Sequence, residues 1–262
     1  MTPEAKKRLI ELEWKVPQVW PKSNIIIIGG GPSFKQVDQS ILRELSISNK
    51  IKVIGVNKAY TEIPDSNEWM HVLWFGDDKF YKSYARLPEK NLYTFPGLKL
   101  CCCPSASRDK YMKYLERDRR KGPGISTNPK AICWNKNSGG SAINLAYHLG
   151  GSESTVYLFG FDMSKGPNGE GNWHKGYAEL WNGKTVAMIA PFKRWLATFA
   201  LIARDAKKLG LNIVNVNLDS KIEEFPKISF EEFVSRVNPP LMNAAAPVVI
   251  NSSHEILMKE GE

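Results

Sequence analysis

The chain is poor in several features that would assign it quickly. It has 4 cysteines in 262 residues, and three of them, Cys101, Cys102 and Cys103, are consecutive, with Cys133 apart. That spacing supports neither a disulfide framework nor a zinc site, and it reads as strand sequence in a reducing compartment. No apolar run reaches the ~18 residues that a membrane span needs, and no secretory leader is read. The expectation is a cytoplasmic protein. Acidic residues are outnumbered, 27 Asp and Glu against 36 Lys and Arg, for a net charge of +9. An acidic partner is expected from such a balance. Histidines number only 4. No internal repeat and no D-x-D pair of carboxylates is present. The length and a hydrophobic content of 42% suit one large α/β domain with a sizeable core.

The most informative stretch present is Asn24-Ile25-Ile26-Ile27-Ile28-Gly29-Gly30-Gly31-Pro32-Ser33-Phe34. A β-branched run of this kind reads as a parallel strand buried on both faces. Three glycines, Pro32 and Ser33 follow it. Glycine lets backbone turn sharply and lets a ligand approach without meeting a Cβ. Amide groups at such a turn can bind phosphate. The turn lacks the G-x-G-x-x-G spacing of a dinucleotide site and the Lys-Ser/Thr pair of a P-loop. It reads equally well as a plain strand-to-helix connection or as a nucleotide or sugar-phosphate site of a less common kind.

Further strands are expected at Lys52–Val56, His71–Phe75, Asn91–Phe95, Lys99–Cys103, Thr155–Phe161 and Leu211–Val216. Helices are expected at Glu4–Trp14, through Val37–Leu45, after Gly76-Asp77-Asp78, at Ser138–Gly150 with Ser138 as N-cap, and at Ile189–Leu209. Alternating strands and helices predict a mostly parallel, Rossmann-like sheet with helices on both faces. Residues 1–21 read as peripheral, 22–238 as the nucleotide-binding domain and 239–262 as a tail. Residues 104–130 are polar, basic and broken by Gly122-Pro123-Gly124, and read as an insertion or lid.

In open α/β sheets ligands bind beyond the carboxyl ends of the strands. The residues expected there are Gly29, Gly30, Gly31, Pro32 and Ser33, then Asn57, Asp77 and Asp78, Ser138 with Gly139, and Asp162. Each also has a structural reading: Asn57 as a turn residue, Ser138 as a cap, Asp77 and Asp78 as caps of the next helix, Asp162 as a cap or turn residue. His174 lies in a Gly- and aromatic-rich loop, where an imidazole could take a proton from an acceptor hydroxyl. His71 and His148 fall within regular elements and read as structural; His254 is in the tail. Arg117, Arg119, Arg120 and Lys121 form a basic cluster that reads as a solvated loop or as an arm for an anionic acceptor.

Together these segments resemble the bacterial sialyltransferases that decorate lipooligosaccharides. The residues that carry the likeness are Gly29-Gly30-Gly31-Pro32-Ser33, Asn57-Lys58-Ala59-Tyr60, Asn137-Ser138-Gly139, Leu158-Phe159-Gly160-Phe161-Asp162 and Trp173-His174, across residues 24–220. The chain also looks like phage-encoded proteins of the same superfamily, through Asn137–Gly150 and Gly160–Met163. The resemblance implies that Gly30, Asn57, Ser138 and Gly139 hold a CMP- or UDP-sugar donor without metal or other cofactor, and that His174 is the general base. Gly30 stands where those enzymes have Asn, and their tyrosine pair has no firm counterpart, Tyr177 and Trp181 being the nearest offers. The acceptor implied is a glycan or a modified base in phage DNA. An archaeal hydroxymethyldihydropterin pyrophosphokinase shares the turn and the helix start, and implies ATP and magnesium with a role for Asp77 and Asp78. A non-catalytic phage protein that binds a nucleotide or nucleic acid is the third reading.

Overall fold

The computed structural model describes residues 14–84, 92–174 and 192–239. The expected helix Glu4–Trp14 (all but its last residue), the start of the helix expected from Ile189, Tyr177, Trp181, the tail from 240 onward and His254 lie outside these residues. The central sheet has seven strands in the order β5-β4-β3-β2-β1-β8-β9. They are β1 (Asn24–Ile28), β2 (Lys52–Val56), β3 (Val72–Phe75), β4 (Leu98–Cys101), β5 (Lys113–Tyr114), β8 (Thr155–Phe159) and β9 (Asn212–Asn215). All the pairings are parallel, with Ile27 of β1 opposite Ile54 of β2 on one side and Leu158 of β8 on the other. A separate parallel ribbon joins β6 (Glu116–Arg117) to β7 (Ala131–Ile132). The described helices of four or more residues are α1 (Gln39–Ile47), α2 (Ala59–Glu62), α3 (Ser66–Trp69), α4 (Asp78–Tyr84), α5 (Ser138–Gly150), α6 (Phe192–Leu209) and α7 (Phe230–Val237).

The four isoleucines of β1 are completely buried, and they divide by parity. Ile26 and Ile28 join one apolar cluster with Leu42 and Leu45 of α1 and Phe233 of α7. Ile25 and Ile27 join the other with Ile143 and Leu145 of α5 and Phe199 of α6. A strand covered on both faces has no polar side to alternate with, which is why its sequence is an unbroken apolar run. Helices therefore flank both faces, as expected. The chain winds outward from β1 to β5 and then returns to place β8 on the other side of β1. The β1–β8 junction is the point where strand order reverses, and crevices for ligands open at such points.

Several elements differ from the sequence reading. Residues 104–130 are not set apart from the fold. They supply β5 to the sheet edge, and Met112, Leu115 and Ile125 are buried. Two-residue strands carry too little periodicity to be seen among basic residues. The residue pattern predicts a strand over residues 91–95, but Leu92–Thr94 is a 3₁₀ turn with Leu92 and Phe95, three residues apart, both buried. Helix α7 is an addition to the expected elements. Ser229 caps it by accepting a hydrogen bond from the amide of Glu232 at 3.2 Å, and the Ser-x-x-Glu spacing is a recognisable helix-start signature. All four cysteines are free and buried. Among the described residues no helix is long and apolar enough to cross a membrane.

Candidate functional site

The β1 turn is stitched to the end of β8. The amide of Gly29 donates to the carbonyl of Phe159 and that of Gly31 to Gly160, each at 2.8 Å. Ser33 donates to the Asp162 carboxylate from its amide and from its hydroxyl, both at 2.9 Å. A Cβ on Gly31 would lie 1.9 Å from Asp162 Oδ2, and one on Gly29 2.8 Å from the Gly160 carbonyl. These two glycines are required by the close approach of β8, with no ligand needed to explain them. Asp162 is buried, and burial raises its carboxyl above the ordinary range against the opposing pull of Ser33. Its place is behind the turn, holding Ser33. Pro32 opens the short 3₁₀ helix Pro32–Gln36, which buries Phe34 in the core.

Gly30 is different. A Cβ there would meet only the Asn172 amide, at 2.9 Å, and that is the movable end of a side chain. The loop after β8 folds over this position. Trp173 donates from its amide to the Gly30 carbonyl at 3.0 Å and from its indole to the Gly29 carbonyl at 2.9 Å. Its ring packs edge-on against Phe34. Trp173 so anchored carries His174, whose ring stands perpendicular to the indole with centroids 4.9 Å apart.

At the end of β2 the chain reverses through Asn57, which has a left-handed φ of 53°. Its amide still extends the ladder by donating to the Trp74 carbonyl at 2.9 Å. Asparagine tolerates this conformation better than most residues. The reversal turns Lys58 inward. Its side chain is 1% exposed and its ammonium lies 2.8 Å from the carboxylate of Glu62, one helical turn on. Both groups act electrostatically on His174. Burial pushes that imidazole down to about 4, helped by Lys58 and opposed by Glu62. His174 is thus neutral near pH 7. The reading of residue types passed over Lys58 and Glu62. Their i,i+4 spacing directly after a strand-ending Asn was the available signal.

The amino end of α5 comes to the same sheet edge. Its N-cap is Asn137 and not Ser138: Asn137 is extended, and its side chain accepts from the Gly140 amide at 2.6 Å. Asn and Ser are comparable caps, so residue type did not separate them. Ser138, the first helical residue, is buried, and its hydroxyl accepts from the Gly76 amide at 3.3 Å. Its carbonyl accepts from the Trp74 indole at 2.9 Å. A Cβ on Gly139 would press on the Phe161 ring at 3.0 Å. After β3, Asp77 accepts from the Lys79 amide at 2.7 Å and Asp78 from the Ser105 amide at 2.9 Å. Both serve as local caps.

The basic cluster divides. Arg117 is fixed, donating to the Cys102 carbonyl at 2.9 Å and to the Gly76 carbonyl at 2.6 Å, with its guanidinium 4.4 Å above the Trp134 ring. Lys121 pairs with buried Asp205 at 2.8 Å. Arg119 and Arg120 are exposed, and with Tyr114 and Arg117 they line a groove of about 570 Å³. This groove meets the sheet edge through Gly76, which bonds Arg117 on one side and Ser138 on the other.

His71 and His148 take structural places. His71 Nδ1 accepts from the Val53 amide at 3.2 Å, and His148 bridges Asn144 and the Ala131 carbonyl. In all, Gly30, Asn57, Lys58, Glu62 and His174 gather on one side of the carboxyl edge, with the start of α5 beside them. Asp162 and Ser33 sit behind that edge, and Arg119 and Arg120 sit apart. No protein-family profile, curated protein or solved structure matches this chain.

Proposed function

We propose that the chain transfers a sugar from a nucleotide-sugar donor to a hydroxyl acceptor, with His174 as general base. The observation that carries this reading is the placement of a neutral, half-buried imidazole at the carboxyl edge of a parallel sheet, between the Gly30 turn and the Asn57–Lys58 reversal. A neutral imidazole can accept the acceptor's proton as the hydroxyl oxygen attacks the anomeric carbon. The bond from that carbon to the donor phosphate breaks, and its electron pair leaves on the phosphate oxygen. The amino end of α5 offers amides and a positive dipole end to the departing charge. Gly30 gives the donor room that a side chain would occupy. Arg119 and Arg120 supply charge for an anionic acceptor, a glycan or a modified base in phage DNA.

The test is a thermal-shift panel of CMP, UDP, GDP and ATP, each with and without magnesium. A nucleotide at 100 times its Kd stabilises the folded state by ~2.7 kcal/mol, an easily read shift. The expected result is stabilisation by a pyrimidine nucleotide without metal. Stabilisation by ATP only with magnesium would instead support the pyrophosphokinase reading, and would require Asp77 and Asp78 to leave their capping roles.

A further inference from the structure

A buried lysine is costly, and a buried ion pair is commonly no more stable than apolar side chains of the same volume. Lys58 is among the largest fully buried side chains, beside residues such as Trp74 and Phe34. It reaches that position because Asn57 takes a left-handed turn, a strained conformation for a residue with a Cβ. Glu62, its partner at 2.8 Å, keeps 19% of its side chain exposed, so the pair spans the boundary between core and cleft. The chain thus places a cation in its interior by way of backbone strain, and stability gives no reason for it. Strain and buried charge of this kind cluster at functional sites.

The neighbour that gives a reason is His174. Trp173 is fixed at both its amide and its indole on the Gly29–Gly30 backbone and packs into the same apolar cluster as Ala59 and Tyr60 of α2. That carries His174 from β8 across β1 to the corner where β2 ends and α2 begins. Among the described residues, Glu62 and Lys58, both from this corner, are the charged groups that act on the imidazole. We propose that Lys58 and Glu62 are a positioning pair for His174: Lys58 keeps the resting imidazole neutral, and Glu62 stabilises the imidazolium formed when it takes a proton. This rests on the reading of His174 as base, and it assigns to that base a carboxylate partner delivered by a different strand.

The test follows the His174 ring by NMR through a pH titration, with His174→Ala used to identify its signal. Lys58→Met removes the cation and leaves Glu62 unopposed, and the His174 midpoint is expected to rise by about 1 pH unit or more. Adding Glu62→Gln to that variant should bring it back down, so the difference between the two isolates the carboxylate. Lys58→Arg should leave the midpoint near that of the wild type. A structural role alone would move the melting temperature but not this pattern. Midpoints that coincide in Lys58→Met and the double variant overturn the proposal. If Lys58→Met does not fold, Glu62→Gln alone decides: its imidazole should stay neutral at pH values where the wild-type ring has begun to titrate, and superimposable curves would overturn the proposal. The base reading fails separately, by normal turnover in His174→Ala, whatever the titration shows.

Discussion

At the scale of single residues, three glycines that look alike in sequence do different work. Gly31 stands against the Asp162 carboxylate and Gly30 against only a movable amide. Gly31→Ala should therefore destabilise the fold by about 1–3 kcal/mol, the usual cost of forcing atoms into a packed site. Urea unfolding checks this. Gly30→Val should stay folded but lose nucleotide affinity, because a branched side chain fills the donor's space; unchanged affinity in a folded variant would remove Gly30 from the site. His174→Ala should lose roughly 10²–10⁴-fold in turnover, the scale of general-base catalysis, with nucleotide affinity little changed. In the wild type the acid limb of the pH–rate profile should fall near the imidazole's depressed value of about 4 and not near its ordinary 6.5. An affinity loss that accounts for the whole effect would make His174 a donor ligand.

At the scale of elements, what the sequence revealed follows the length and uniformity of each signal. Strands β1, β2 and β3 and helix α5 are long, apolar runs or clean helical spacings, and they fall where the residue pattern put them. The β5 and β6 strands are two residues each, inside a segment dominated by Lys and Arg. Only the tertiary structure shows that Leu115 between them is buried. The site divides in the same way. Gly30, Asn57 and His174 were legible because strand ends, glycines and a loop histidine are readable features. Lys58 was not, since nothing local says that a lysine will turn inward; the φ of Asn57 decides it. The start of α5 offers a direct check. Asn137→Ala should cost about 1 kcal/mol through loss of the cap, whereas Ser138→Ala should leave the cap intact and lose only the bond from Gly76. Chemical denaturation of the two variants gives the comparison, and a larger cost at Ser138 would contradict the assignment of the cap.

At the scale of the whole molecule, two properties are expected from its charged groups. His71, His148 and His174 all have imidazoles held below the ordinary value of 6.5 by burial, His71 and His174 to about 4. The unfolded chain binds protons between pH 6.5 and 4 that the native state refuses. Stability is therefore full above that window and falls as pH drops through it, by up to about 1.4 kcal/mol per pH unit for each histidine. Melting curves taken across the range should show the fall, and a flat profile would contradict the burial of these rings. The net charge of +9 has its candidate outlet at Arg119 and Arg120. If the acceptor is DNA, changing both to Ser should reduce the log–log salt slope of binding by about 0.9 for each phosphate that the variant no longer neutralises. Arg117→Ser should instead lower stability, since that side chain is bonded to two carbonyls.

The central claim is that the carboxyl edge around Gly30, Asn57 and His174 takes the nucleotide of a sugar donor. Amide chemical-shift mapping on addition of metal-free CMP or UDP tests it most directly. The account predicts saturable shifts at Gly30, Asn57, Lys58, Gly139 and His174, with Arg119 and Arg120 unmoved. Shifts confined to the arginine groove, or no saturable shift with either nucleotide, would contradict it.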